Sequence, residues 1–179
     1  MNPEKEPASN IEKKESVEDN ARKFTLGEIS PEFLKEKNAS SFFLTVNWMK
    51  VAEASEIKVA RKEFTNGEVQ ILLISKLIKD GSRISEKKKI NEDEYREMLR
   101  SSVLHLQKTR HEFKYVQGNI TFTLKYDVFE DGNTNMLEVD ADSEELRSQF
   151  KIKDFPFTLS EVTGNMDYYG YKVAKTLTQ

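Results

Sequence analysis

The sequence predicts an α+β fold, an eight-stranded antiparallel β tunnel or barrel with flanking helices. Three observations carry this. From Phe42 onward, polar and apolar residues alternate with period two in eight segments: 42–49, 56–64, 68–78, 82–90, 104–116, 119–130, 134–140 and 156–163. Turn signals separate many of them, at Asn66-Gly67, Asp80-Gly81, Gln117-Gly118-Asn119 and Asp131-Gly132-Asn133, and tight hairpins pair strands antiparallel. Helical patterns are few, and closing the sheet removes exposed edges.

Residues 1–23 hold few large apolar side chains and many Glu, Lys, Asn and Ser. Such a segment cannot bury enough surface to offset its ordering entropy, so it reads as a disordered arm, either solvated or partner-docking. Residues 24–41 read as a short helical lead-in, with Ser30 as N-cap and Pro31 at the first helical position. Residues 42–179 form the tunnel domain. Within it, Asn91 caps a helix over 92–102, Glu94 completes a capping box, and Tyr95, Met98 and Leu99 share one face. Asp142 or Ser143 starts a helix over 143–150, and a last helix falls near 167–176.

Composition narrows the function. The 179 residues are 37% hydrophobic and 33% charged, with 28 basic against 31 acidic side chains and a net charge of -3. That balance does not favour general nucleic-acid binding. No apolar run approaches a membrane span. The chain has no Cys and only two His, His105 and His111. This excludes disulfides, thiol nucleophiles and Cys-based zinc sites, and argues against a multi-His metal site. The N-terminal residues show neither an apolar signal region nor an acid-poor transit peptide, so an intracellular, cytoplasmic location is expected.

The strands carry charge on one face. Lys108, Arg110, Glu112 and Lys114 alternate with Thr109, His111, Phe113 and Tyr115. Thr121, Thr123, Lys125 and Asp127 alternate with Ile120, Phe122, Leu124, Tyr126 and Val128. Glu138 and Asp140 lie opposite Leu137 and Val139. Two arrangements fit: a solvated outer face, or a wide barrel with a polar interior and a helix-covered exterior. In the second, interior Lys and Arg would bind a polyanion and interior carboxylates a hard cation. Phosphoryl transfer needs such clamps and metals rather than covalent chemistry from the protein.

The order of features is distinctive. Asn66-Gly67-Glu68-Val69 is followed by Lys76, Arg83, Ile90 and the helix 92–99. Then come Lys108-Thr109-Arg110, the run Phe122 to Phe129, Leu137-Glu138-Val139-Asp140 and Glu161-Val162-Thr163-Gly164. Over about residues 42–177 this resembles the CYTH superfamily, the triphosphate tunnel metalloenzymes. That family includes class IV adenylyl cyclases, thiamine triphosphatases and inorganic tripolyphosphatases. The nearest likeness is to CYTH domains fused to P-loop kinase-like domains, although this chain contains no P-loop.

The resemblance implies a charge-lined tunnel that binds a triphosphate through basic residues and divalent metal through acids. Its phosphate-binding positions fall on Arg61, Lys76, Arg83, Lys108 and Arg110. Its late acids fall on Asp127, Glu138 and Asp140, which would hold Mg²⁺ or Mn²⁺. Glu161 reads as support for a strand corner. Departures are equally specific. The family's first strand carries Glu-x-Glu-x-Lys, whereas Phe42 to Trp48 holds no acid. The fourth strand's Glu-x-Glu positions are Ser85 and Lys87, although a one-residue slip would bring in Glu86. Small polar residues expected on the third strand are Leu72 and Ile74.

Three functions follow. The first is a diverged, non-catalytic module that binds a polyphosphate, nucleotide or other phosphoanion, or a protein. The second is a metal-dependent triphosphate hydrolase, acting on tripolyphosphate or a nucleoside or thiamine triphosphate. The third is a structural subunit of a larger assembly. Lys108 and Arg110 serve the first two as anion ligands, or pair with Glu138 and Asp140 as a structural ion network.

Overall fold

The computed structural model describes residues 11–15, 21–79, 82–130, 132 and 134–176. Among the described residues, eleven strands form one antiparallel sheet. They are β1 (Ile11–Glu15), β2 (Arg22–Leu26), β3 (Ser40–Ala52), β4 (Ser55–Phe64), β5 (Val69–Lys79), β6 (Ser82–Lys89), β7 (Leu104–Gln117), β8 (Ile120–Phe129), β9 (Met136–Asp140), β10 (Leu159–Glu161) and β11 (Lys175–Thr176). Their order is β1-β6-β5-β4-β3-β7-β8-β9-β2-β10, with β11 added to β7.

The expected closed eight-stranded barrel is therefore corrected to an open sheet. No ladder joins β1 to β10 among the described residues. Two N-terminal strands account for the difference. β1 covers the free edge of β6, and β2 separates β9 from β10. The sheet still curls, because side chains from β6 near one end and β10 at the other line a single cavity.

The expected arm and lead-in differ as well. The boundary at residue 23 falls inside β2, where Phe24 is fully buried. Ile11–Glu15 is also a strand, whereas residues 1–10 and 16–20 of the expected arm lie outside the described residues. Helix α1 (Pro31–Glu36) starts at Ser30, whose side chain accepts the Phe33 N–H. Helix α2 (Glu92–Leu99) forms the full Asn91/Glu94 capping box. Helix α3 is Glu144–Ser148. The expected last helix is instead a 3-10 turn at Met166–Tyr168, the short helix α4 (Gly170–Val173) and β11.

Glycines set two described hairpin turns, Gly67 at φ 87° and Gly118 at φ 60°. The expected turn at Asp80-Gly81 lies outside the described residues.

Packing sorts the two faces of the sheet. Phe122, Leu124 and Tyr126 of β8 point outward with Phe113, Leu137 and Val139. There they meet Phe150 and Phe155, which follow α3, and Phe33 of α1. On the outer face of β4 and β5, Tyr95 of α2 packs on Val59 and Ile71. Covering the apolar outer face in this way leaves the charged parity of the strands facing inward. The polar-interior arrangement is the one the chain adopts.

Candidate functional site

The curled sheet encloses a cavity of about 940 Å³. Among the described residues, ten basic side chains line it against six acids, in a chain whose net charge is -3. The basic surplus is concentrated inside, where low dielectric strengthens its attraction for an anion.

One part of the lining comes from β7, β8 and β9. Arg110 and Asp127 are register partners across the β7–β8 ladder. Arg110 donates Nε to Asp127 Oδ1 and Nη2 to Oδ2, both at 2.7 Å. Lys108 Nζ donates to the same Oδ2 at 2.6 Å. Glu138 Oε1 lies 3.8 Å from Arg110 Nη2. Burial alone would raise the Asp127 pKa, but the Arg110 guanidinium and the Lys108 ammonium outweigh it and hold the carboxyl well below its usual range. Burial, then repulsion from Arg110, lowers Lys108.

A second part comes from β4 and β5. Glu56 accepts from Trp48 Nε1 at 2.5 Å and from Lys58 Nζ at 2.8 Å. Burial pushes Lys58 down to about 8, assisted by the positive charges of Lys76 and Lys108 and opposed by Glu56. An ammonium group held among other cations in this way gains most from an incoming anion. Its stem is supported as well: Lys58 lies 5.4 Å from the Trp48 ring, as Lys62 lies 5.1 Å from Phe42 and Lys108 5.5 Å from Phe129.

The third part is the mouth formed by β2, β10 and the C-terminal turns. Arg22 binds Glu161 through Nε at 2.9 Å and Nη2 at 3.1 Å. Thr163 Oγ1 donates to Glu161 and accepts the Lys23 N–H. Glu161 thus braces this corner, and Arg22 holds its carboxyl below the usual range. Tyr168, Tyr169 and Tyr171 close the wall beside Trp48.

The candidate residues read from the sequence are placed as follows. Lys76, Lys108 and Arg110 line the cavity. Arg83 stands in β6 opposite Ile78, and its side chain lies outside the described residues. Arg61 points to the outer face, where it pairs with Glu63 and, at 2.7 Å, with Glu92 of α2. The physical reason is parity: Lys58, Ala60 and Lys62 take the inner positions of β4.

Asp127, Glu138 and Asp140, the expected metal ligands, stand beside cations in this structure. Both Asp127 oxygens are bound by cations, and Asp140 accepts from Arg147 Nη1 at 3.2 Å and the Ala141 N–H at 2.8 Å. Among the described residues no group of three His, Cys, Asp or Glu side chains is placed to hold a metal. Mg²⁺ and Mn²⁺ bind through several carboxylate or water oxygens directed at one point, and here the oxygens of Asp127 and Asp140 face cations. Ser85 and Lys87 keep the fourth-strand positions at which the resemblance expects acids, opposite Lys76 and Ile74.

Lys58, Lys62, Arg22 and Arg147 line the cavity and were not among the residues read from the sequence. The alternation Glu56-Lys58-Ala60-Lys62 was the available signal for the first two. Arg22 and Arg147 carried none, since one sits on a strand read as arm and the other on a short helix.

The fold is shared with NE1496. One structure of it, described as a hypothetical protein, superposes with a TM-score of 0.57 at 17% identity, covering 86% of this chain and 95% of the other. A second, described as inorganic triphosphatase NE1496, gives 0.58 at 16% identity, covering 87% and 97%. The chain therefore has a CYTH-like fold. Its sequence matches no protein-family model and no curated protein.

Proposed function

We propose that this chain is a non-catalytic module that binds a phosphate-bearing anion inside the curled sheet. The observation that carries the reading is the surplus of ten basic over six acidic side chains, among the described residues, around one cavity. Lys58 and Lys76 form the primary contact, because their mutual repulsion is relieved by an anion. Lys108 and Arg110 contribute less, since two carboxylates, Asp127 and Glu138, face them, whereas Glu56 offsets part of the charge of Lys58 and Lys76. Asp127 is engaged by Lys108 and Arg110 and Glu56 by Lys58, which supports binding without catalytic metal.

One observation favours a second reading, a metal-dependent triphosphate hydrolase: the shared fold with a structure described as an inorganic triphosphatase. The test is phosphate release from tripolyphosphate and ATP with Mg²⁺, Mn²⁺ or chelator, against Lys108→Ala/Arg110→Ala. The binding module releases no phosphate under any condition yet binds tripolyphosphate in chelator. Metal-dependent release that is lost in the double variant establishes the hydrolase instead. Neither release nor binding leaves the fold as a scaffold for protein contacts.

A further inference from the structure

The departures from the CYTH pattern at Leu72, Ile74 and the acid-free strand 42–48 meet in space. Register places Leu72 beside Ala60, Ala60 beside Val46, and Val46 beside Leu106. These four residues make a continuous apolar belt across β5, β4, β3 and β7, and all four line the cavity. The next row reads Ile74, Lys58, Trp48 and Leu104, so the wall stays apolar except at one ammonium. On the other side of the belt, Lys62 and Lys108 flank Leu44.

The belt therefore separates two cationic zones, with Lys58 and Lys62 four residues apart on one strand, roughly 13 Å. A phosphate chain laid between them would give up its water against side chains that donate nothing, which is unfavourable. An uncharged group laid there meets no such cost, and since Val46, Ala60 and Leu106 are already buried, Leu72 is the belt residue it would chiefly cover. Binding pockets that combine an apolar wall with a few directed polar groups take amphipathic organic ligands.

We infer that the ligand is an organic phosphate or diphosphate whose apolar body lies on the Leu72–Ala60–Val46–Leu106 belt while its phosphate meets Lys58 and Lys76. This rests on the phosphoanion reading above. It separates this chain from a binder of inorganic polyphosphate by adding a wall that recognises carbon.

Trp48 is the sole tryptophan and borders the belt, so its emission reports occupancy directly. The full chain is titrated with inorganic diphosphate, geranyl diphosphate and geraniol, each followed by Trp48 fluorescence and calorimetry. Geranyl diphosphate is expected to bind at least tenfold more tightly than inorganic diphosphate, with a change in Trp48 emission. In Leu72→Gln, which is only partly buried in the wild type, that affinity ratio falls several-fold. Equal affinities for the two diphosphates overturn the inference and leave the phosphoanion reading standing. Geraniol binding as tightly as geranyl diphosphate removes the phosphate from recognition and overturns both. So does failure of all three to bind. Should Leu72→Gln fail to fold, the wild-type ratio decides alone.

Discussion

Asp127 and Arg110 face each other across the β7–β8 ladder and share two hydrogen bonds of 2.7 Å, with Asp127 only 2% exposed. The carboxylate offsets part of the charge of both Arg110 and Lys108. Removing it leaves two buried cations facing one another, a change that typically costs about 3–5 kcal/mol. Asp127→Asn should lower the melting temperature in the absence of ligand. It should also enlarge the stabilisation given by tripolyphosphate, because the freed cations accept the anion. Differential scanning calorimetry with and without tripolyphosphate measures both. A variant that melts lower but gains nothing from the anion would place this network outside the binding site.

The pH dependence follows from Lys58. Its pKa in the folded, ligand-free state is depressed to about 8, below the ordinary lysine value near 10.4. An anion binds the protonated form, so bound ligand raises that pKa. Affinity is then full below pH 8 and falls as pH rises through it, by at most about tenfold per pH unit for one linked proton. A phosphate monoester, whose last ionisation near pH 6 is complete across this window, is the ligand for this titration. For stability without ligand the sign is opposite. The unfolded chain holds the Lys58 proton more tightly, so this group's contribution improves as pH rises from about 8 towards about 10.4. Calorimetric titration at pH 7, 8 and 9 tests the binding arm. A flat profile, or a rising one, removes Lys58 from the site.

Parity on β4 gives a paired comparison. Arg61 serves the outer face through Glu92, whereas Lys58 serves the cavity. Arg61→Ala should leave tripolyphosphate affinity unchanged and cost about 0–1 kcal/mol of stability, as expected for a partly exposed ion pair. Lys58→Ala should weaken binding at least tenfold. Isothermal titration of the two variants under identical salt decides the assignment.

Trp48 and Gly170 set the position of the C-terminal segment. A Cβ added at Gly170 would approach Trp48 Cζ2 to 3.2 Å and Cη2 to 3.5 Å. Gly170→Val therefore forces α4 away from the indole, at about 1–3 kcal/mol for overpacking. The expected signature is a lower melting temperature together with red-shifted tryptophan emission. Unchanged emission would show that the segment does not rest on Trp48 in solution.

Much of the fold is legible in the sequence where alternation is strict. On β8, Phe122, Leu124 and Tyr126 against Thr123, Lys125 and Asp127 leave only one way to orient the strand. The Asn91/Glu94 box likewise announces α2. β4 is illegible by the same rule because it carries charge on both faces, with Lys58 and Lys62 inside and Arg61 and Glu63 outside. Only Glu92 on α2, which binds Arg61, resolves the ambiguity. β2 is too short for a period to register, since Phe24 and Leu26 alone mark its buried face. The strand expected over 156–163 contracts to β10 (Leu159–Glu161), and Phe155 and Phe157 before it pack on each other and on Phe33. The apolar belt was visible as separate oddities, Leu72, Ile74 and an acid-free first strand. Only register joins them into one surface.

The most direct test of the cavity as an anion site is calorimetric titration of the full chain with tripolyphosphate, in chelator at low salt, beside Lys58→Ala/Lys76→Ala. The account predicts saturable one-site binding that needs no divalent metal and is lost in the double variant. Binding that appears only with Mg²⁺ or Mn²⁺, or that survives the double variant, contradicts it.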